Sequence, residues 1–235
     1  MRRSSWIVAV GLGAAVAAGA LRSVLAGDDE EGAFDSEPVR ELAAKADALS
    51  VDDEMALMRR LRRSMDRRLL TPSAESWKGF EGLRERTDAG LARILERGLY
   101  EGFVSPRCGG AYWSFTKRSN DYDHEPQLEL QKGSFGSGFY GGTAGIVRRM
   151  ERGDILSIEK TSVPEDMRAA AAEVKTAARA QRKDRPKAEA GGLYAVRAVM
   201  PGECDVLAAF QVIAVDAKGA TIAWRLLERY ETPPR

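Results

Sequence analysis

Apolar residues in the second half of the chain occur in short runs typical of β-strands. Beyond residue 103, glycine, aromatic and β-branched residues replace the helical spacing found earlier in the chain,. A hairpin is predicted around Lys132 and Gly133, since glycine readily adopts the positive φ of a tight turn. The pattern predicts a twisted, mostly antiparallel β module over residues 103–235. Its clearest strands are predicted at residues 193–200, 205–215 and 220–230.

Before residue 103, the apolar positions recur every three or four residues, as on one face of a helix. Two stripes carry this spacing, at residues 55–69 and 77–95, and they predict two or three helices within 36–102. A charged, alanine-rich stretch predicts one more helix over 164–185, inserted in the β module and ended by a proline,. Helices followed by an antiparallel sheet make the predicted fold class α+β.

The sequence also predicts which residues of the module face solvent and which form its core. The cations of the inserted helix, among them Lys175 and Arg179, are interpreted as its solvent-facing side. The expected core aromatics are Trp113, Phe115, Phe135, Phe139, Phe210 and Trp224.

The first 26 residues have the layout of a secretory signal peptide. Arg2 and Arg3 precede an apolar stretch, and the small residues up to Ala26 suit cleavage before an acidic leader, 27–35. The alternative is an uncleaved membrane anchor formed by residues 6–26, although a spanning helix needs about 20 apolar residues and the uninterrupted run is shorter,. Both interpretations place the remainder outside the cytoplasm. It would be periplasmic or secreted, or held at the inner membrane if the segment is retained.

The charges of the chain are balanced, with 36 Lys and Arg against 35 Asp and Glu. A global field that would attract nucleic acid is therefore absent, and no nucleic-acid partner is predicted. We expect instead an extracytoplasmic protein or an envelope surface as the partner.

Cys108 and Cys204 are the two cysteines of the chain. In an exported protein an even number of cysteines invites a disulfide. A bond between these two would close a long loop and stabilise the fold by restricting the unfolded chain. The alternative is a pair of buried free thiols.

Residues 136–141 spell the G-x-G-x-x-G pattern of dinucleotide-binding proteins,. That fingerprint needs a helix to open at the motif, and the glycines that follow, such as Gly142 and Gly145, make a poor helix start. The preferred interpretation is a glycine-rich strand and turn whose backbones pack closely. No cofactor is predicted.

An acidic loop supplies the candidate metal site, formed by Asp121, Asp123 and Glu125. Clustered carboxylates are ligands that Ca²⁺ prefers. The EF-hand pattern is absent from this loop, so the alternative is a solvated polar loop.

Catalytic residues are difficult to nominate, because His124 is the only histidine and the chain has no G-x-S-x-G motif,. An alternative function is an extracytoplasmic hydrolase or lyase built from carboxylates. It would require two carboxylates with perturbed pKa values in one deep pocket. The candidates are Asp121, Asp123, Glu125, Glu129 and Glu159.

Several segments of the β half resemble known sequences. They are residues 110–115, 128–135, 138–139, 145, 193–197, 205–207, 209–210 and 222–227. Over residues 97–232 the chain is similar to a group of uncharacterised bacterial exported proteins. The resemblance implies a self-contained β module joined to different N-terminal regions. It implies no reaction, and the two cysteines lie outside its pattern.

The export signal, the lack of a convergent catalytic set and the aromatic-rich strands together favour a non-enzymatic binding or structural module at the cell envelope. An exposed aromatic patch on Tyr112, Tyr122 or Tyr140 would serve as its contact surface.

Overall fold

The computed structural model describes residues 50, 52, 56, 69–98, 110–120, 122, 125–139, 142–151, 153–181 and 185–235. The strands are β1 (Ala89–Leu95), β2 (Tyr112–Trp113), β3 (Leu128–Gln131), β4 (Ser134–Gly136), β5 (Ala144–Met150), β6 (Leu193–Met200), β7 (Cys204–Asp216) and β8 (Gly219–Arg229). The helices that the described residues contain in full are α1 (Glu165–Arg168) and α2 (Ala171–Gln181), with 3-10 turns at Glu75–Trp77, Glu81–Leu83 and Lys160–Ser162. These elements belong to one unit, Arg62–Arg235.

The strands form two antiparallel sheets. The larger has the order β1-β8-β7-β6-β5 and the smaller the order β2-β3-β4. The described residues are thus mainly β with few helices, which agrees with the predicted antiparallel sheet and is consistent with an α+β fold. The predicted hairpin around Lys132 and Gly133 is confirmed. Lys132 and Gly133 join β3 to β4 with φ values of 53° and 65°, as a type I′ turn requires,.

Aromatic side chains fill the space between the two sheets. The Trp224 ring lies 5.8 Å from Trp113 and 5.7 Å from Phe115, measured between ring centroids. Phe135 and Phe210 pack edge to face at 4.8 Å. Five of the six predicted core aromatics are buried in this cluster, and the sixth, Phe139, is half-buried.

The other face of the larger sheet is also covered. Met167 of α1 and Val174 of α2 pack against it, and Ile155 and Ile158 of the preceding loop form a second apolar cluster with Leu83. Because both faces are covered, every residue of β6 is buried. A strand covered on both faces lacks the alternation of a half-exposed strand.

A buried ion pair joins the middle of the larger sheet to α1. Arg197 donates to both carboxylate oxygens of Asp205, from Nε at 2.7 Å and from Nη2 at 3.0 Å, and both side chains are almost fully buried. The Arg197 Nη1 group donates to the carbonyl of Met167 at 3.1 Å. The guanidinium also lies 3.4 Å from the ring centroid of Tyr230. One side chain therefore links β6, β7, α1 and the C-terminal segment.

The predicted helical region over 36–102 is wrong at its C-terminal end, because residues Ala89–Leu95 form strand β1. This strand pairs with β8 from Ala89 opposite Arg225 to Leu95 opposite Gly219. Six of its seven residues are buried. A short apolar run buried on both faces cannot be distinguished from a helix by periodicity alone. The sheet therefore begins before residue 103, where the boundary was predicted.

The predicted helix over 164–185 is present as two shorter helices. Ala169 has an extended backbone, with a ψ of 171°, and this separates α1 from α2. Beyond α2, residues 185–188 run beside β4, where the N–H of Phe135 donates to the carbonyl of Pro186 at 2.9 Å.

The predicted signal or anchor, 1–26, and the acidic leader, 27–35, lie outside the described residues, so both stay predictions. Within the part of the chain that the structure describes, no helix has the length and apolar character that a membrane crossing requires.

Candidate anion-binding cleft

A cavity of about 650 Å³ lies between the end of β4, the start of β5 and helix α2. Among the described residues, its walls carry four cationic side chains and one carboxylate. The cations are Arg97, Lys175, Arg179 and Arg185, and the carboxylate is Glu129. The rest of the lining is mainly glycine-rich backbone of residues 136–145 with a few apolar side chains.

Glu129 organises the floor of the cleft. Its side chain is fully buried, and its two oxygens accept hydrogen bonds from Arg97 Nη1 at 2.8 Å and from Arg185 Nη1 at 2.9 Å. A buried carboxylate requires such partners, since removing its charge from water is costly. About a third of each arginine side chain remains exposed, 34% for Arg97 and 32% for Arg185. The buried glutamate thus fixes two guanidinium groups that still reach solvent.

Gly136 provides the space that Arg185 occupies. It lies directly opposite Glu129 in the β3–β4 pair, so the two residues share one face of the small sheet,. A Cβ atom added at Gly136 would lie 2.6 Å from Cζ of Arg185. The guanidinium therefore fills the position that a side chain at residue 136 would take. From there, its Nη1 group also reaches Gln131 Oε1 at 3.2 Å.

Helix α2 forms one wall. Val174 and Ala178 are buried against β5 and set the orientation of the helix. Lys175 and Arg179 are four residues apart and so share one side of the helix, which lines the cleft,. No ion pair links either cation to another residue in the described part of the chain. The side of α2 that was predicted to face solvent therefore also lines a cavity.

The opposite rim is formed by glycine-rich backbone. Gly138 has a φ of 67°, and a Cβ atom there would lie 2.4 Å from the backbone nitrogen of Gly145. A Cβ at Gly145 would lie 2.1 Å from Ser137 Oγ, which is buried and has no hydrogen-bond partner among the described residues. The prediction of close backbone packing in this motif is confirmed. Strand β5 begins at Ala144, so a strand stands where the dinucleotide fingerprint requires a helix,.

The predicted Ca²⁺ site is described only at Glu125. Its Oε1 atom lies 3.3 Å from Lys117 Nζ, and its backbone φ is 51°. Asp121 and Asp123 lie outside the described residues. The described residues contain no group of three His, Cys, Asp or Glu side chains that could hold a metal ion. The site stays a prediction.

The predicted disulfide is likewise described at one end. Cys204 is buried and forms no disulfide with another described residue. Its sulfur accepts a hydrogen bond from Gln127 Nε2 at 3.5 Å and lies 3.6 Å from Met200 Sδ. Burial raises the pKa of this thiol to about 11. Cys108 lies outside the described residues, so the pairing itself stays a prediction.

The carboxylates proposed for a hydrolase or lyase do not converge where they are described. Glu129 lies in the cleft and is paired with arginines, whereas Glu125 lies beside Lys117. Glu159 lines a separate cavity of about 330 Å³.

The predicted exposed aromatic patch does not include Tyr112, because this residue is buried and packs against Tyr122 at 5.1 Å between ring centroids. Tyr140 lies outside the described residues.

The four cations cannot be recognised as a group from the sequence alone. Lys175 and Arg179 carry a signal, the four-residue spacing on a predicted helix. Arg97 follows β1 and Arg185 follows α2, and no local pattern connects them to the buried Glu129. Their convergence depends on the pairing of distant strands.

Comparison with protein families, with curated proteins and with solved structures gives no match to this chain.

Proposed function

We propose that this protein is an exported binding module of the cell envelope that holds a small anionic ligand in the cleft beside β4 and β5. The observation that carries the proposal is the convergence of four cationic side chains on one cavity whose described lining contains a single carboxylate. Glu129 offsets only part of that positive charge. The excess favours an anionic occupant.

The size and chemistry of the cleft support a small molecule. Ligand-binding cavities commonly measure roughly 300–1,000 Å³, and this one measures about 650 Å³. Guanidinium groups match carboxylate and phosphate oxygens in geometry, and a lysine adds a mobile point charge. The module would therefore recognise an oxyanion. The envelope-surface partner expected from the sequence would be the source of such a ligand.

The export part of the proposal rests on the N-terminal sequence and on the resemblance to bacterial exported proteins. Fractionation of cells that express the full-length chain, with intact mass spectrometry, tests it. A soluble extracytoplasmic species that begins at Gly27 is expected for a cleaved signal, and a full-length membrane species for a retained anchor. A full-length species in the cytoplasm would contradict export.

Calorimetric titration with orthophosphate, sulfate and citrate at low ionic strength tests the ligand class. We expect binding of these oxyanions that weakens as NaCl is added, because salt screens the attraction. Arg185→Gln should lower the affinity about tenfold, since a charge-assisted hydrogen bond is lost.

Arg229→Gln is the matched control, because Arg229 is exposed on β8 and does not line the cleft. Arg185→Lys keeps the charge and should retain part of the affinity. Melting temperatures of all variants verify folding. The proposal is overturned if no oxyanion binds, or if the control variant loses as much affinity as Arg185→Gln.

A further inference from the structure

The cations of the cleft are arranged as two centres of different construction. The floor centre consists of Arg97 and Arg185, which Glu129 holds in place. The wall centre consists of Lys175 and Arg179 on one side of α2. The two centres belong to different elements, and both line the same cavity.

The floor centre offers a preorganised binding edge. Arg185 uses its Nη1 group for Glu129 and Gln131. Its Nε and Nη2 groups have no hydrogen-bond partner among the described residues. The edge formed by Nε and Nη2 is one on which a guanidinium binds two oxygens of a carboxylate or a phosphate. Glu129 holds the guanidinium by a hydrogen bond, and the guanidinium packs into the space left beside Gly136. Because its position is already fixed, little conformational entropy is lost when an anion binds.

The wall centre offers two further cations. Neither is paired within the described residues, and Lys175 is half-buried at the side of the cavity. A ligand with one anionic group would pair with the floor centre and leave the half-buried Lys175 and the exposed Arg179 without a counter-charge from the described residues. A second anionic group would pair with them.

On the basis of the proposed function, we infer that the ligand carries two anionic groups, one bound by the floor centre and one by the wall centre. The chemical class is a small molecule with carboxylate or phosphate groups at both ends of a short neutral linker. The oxygens of either group can accept hydrogen bonds from the guanidinium and ammonium groups of the cleft. The experiment therefore uses both chemistries.

Calorimetric titrations at low ionic strength compare matched probes. They use the form of the protein that is isolated from the expressing cells, whether its signal is cleaved or retained. The dicarboxylates from succinate to suberate are measured beside monocarboxylates of the same carbon number. Alkanediol bisphosphates are measured beside the corresponding monophosphates. We expect the probes with two anionic groups to bind about tenfold or more tightly than their partners with one, with an optimum linker length set by the separation of the two centres. The series that gives the larger affinity identifies the anionic group.

Variants assign the advantage to the wall centre. Lys175→Ala combined with Arg179→Ala should remove most of the difference between the probes with two anionic groups and those with one, while the affinity for the latter changes little. The matched control is Lys218→Ala with Arg229→Ala, which removes the same charge from exposed residues that do not line the cleft. Melting temperatures show whether each variant is folded. If the double variant proves unfolded, Arg179→Gln alone replaces it, because Arg179 is exposed.

The outcomes separate this inference from the proposed function. If probes with one and with two anionic groups bind equally at every length, and Arg185→Gln still weakens binding about tenfold, the cleft binds anions and the two-centre inference is wrong. The same conclusion follows if the control variant removes the advantage of a second anionic group as fully as the wall variant. If no probe of either kind binds, the proposed function and the inference both fail.

Discussion

The buried pair of Arg197 and Asp205 is the feature whose contribution is clearest at the scale of single residues. Each charge is removed from water and is compensated chiefly by the other. When one partner of such a pair is removed, the other is left as an uncompensated buried charge, which costs about 3–5 kcal/mol. Arg197→Met should therefore lower the free energy of unfolding by about that amount. Urea unfolding followed by tryptophan fluorescence measures it.

The double variant Arg197→Met/Asp205→Leu is the control for this prediction. It removes both charges, so we expect it to be more stable than the single variant. It still lacks the hydrogen bond to Met167 and the contact with Tyr230, so it should not reach the stability of the parent. Equal losses in the single and double variants would show that the charge of Asp205 is not the cause.

Cys204 gives a second prediction, because its raised pKa should make it unreactive. At pH 8 the folded thiol, with a pKa of about 11, is almost entirely protonated, and the thiolate is the reactive form,. In a Cys108→Ser variant, where Cys204 is the remaining thiol, labelling with a disulfide reagent should be about a hundredfold or more slower in the folded protein than in guanidinium. Similar rates in the two states would contradict the burial of this sulfur.

The same shift has a consequence for stability in alkali. The thiol ionises earlier in the unfolded chain than in the folded one, so the unfolded state binds fewer protons in that interval. The contribution of Cys204 to stability is complete below the pKa of the unfolded thiol, near 9, and is lost as pH rises toward about 11. A Cys204→Ala variant should show a smaller decline of unfolding free energy over this interval. An unchanged decline would exclude Cys204 as a contributor.

The sequence predicted single residues well where size and apolarity decide their position. Phe210 and Trp224 were expected in the core and are fully buried. Arg197 and Glu129 are buried as well, in strands whose apolar pattern marks their neighbours but not them. A charged residue is buried only where the fold places a partner beside it. The partner of Arg197 lies on β7, and the partners of Glu129 follow β1 and α2. Local sequence does not contain that information.

At the scale of elements, the contact between the loop after β4 and strand β5 depends on glycine. Gly145 has no positive φ, so its requirement is for space alone, since a Cβ would lie 2.1 Å from Ser137 Oγ and 2.6 Å from the nitrogen of Gly138. Gly145→Ala should cost about 1–3 kcal/mol of unfolding free energy, as overpacking does. It should also weaken oxyanion binding, because the rim of the cleft must move.

Gly82→Ala is the matched control for this substitution. Gly82 lies in a 3-10 turn, lacks a positive φ and has no atom within 4 Å of an added Cβ. Thermal unfolding of both variants should therefore separate the steric effect from the general difference between glycine and alanine. A melting temperature that is equally lowered in the two would mean that the close approach at Gly145 is readily relaxed.

Element type was predictable where turn chemistry and periodicity agreed. The strands β7 and β8, together with the β3–β4 hairpin, follow from their glycines and β-branched residues. Strand β1 was predicted as helix because Leu91, Ile94 and Leu95 fit helical spacing. The backbone of this segment is determined by β8, which offers an antiparallel partner to all seven residues. Tertiary pairing overrides a local preference in such a case.

At the scale of the whole molecule, the cleft is a product of topology. Glu129 and Arg185 meet because residues 185–188 return beside β4 after α2. Arg97 reaches the same carboxylate because β1 belongs to the other sheet and ends beside β3, where its N–H donates to the carbonyl of Leu130 at 3.0 Å. The sequence predicted the glycine-rich packing on one rim but could not place three separate segments around it.

The position of β1 also sets the smallest chain that should fold. A module beginning at residue 103, the predicted boundary, would lack Leu91, Ile94 and Leu95, all buried. Burying each such side chain contributes roughly 1.5–3 kcal/mol, whereas a domain is stable by only about 5–15 kcal/mol. Strand β8 would also become an exposed edge,. We therefore expect the fragment 103–235 not to fold.

A fragment beginning at residue 69 is the matched comparison, because it keeps β1 and the 3-10 turn that buries Leu83. We expect this fragment to unfold cooperatively by calorimetry and to show near-ultraviolet circular dichroism from Trp224, whereas the shorter fragment shows neither. If the fragment 103–235 melts at the same temperature as the fragment 69–235, β1 is dispensable. The sheet would then be a four-stranded unit to which β1 only adds. If the shorter fragment does not fold, the self-contained module must include β1. The strand that completes the sheet by pairing with β8 is then the same strand that brings Arg97 to the floor of the cleft.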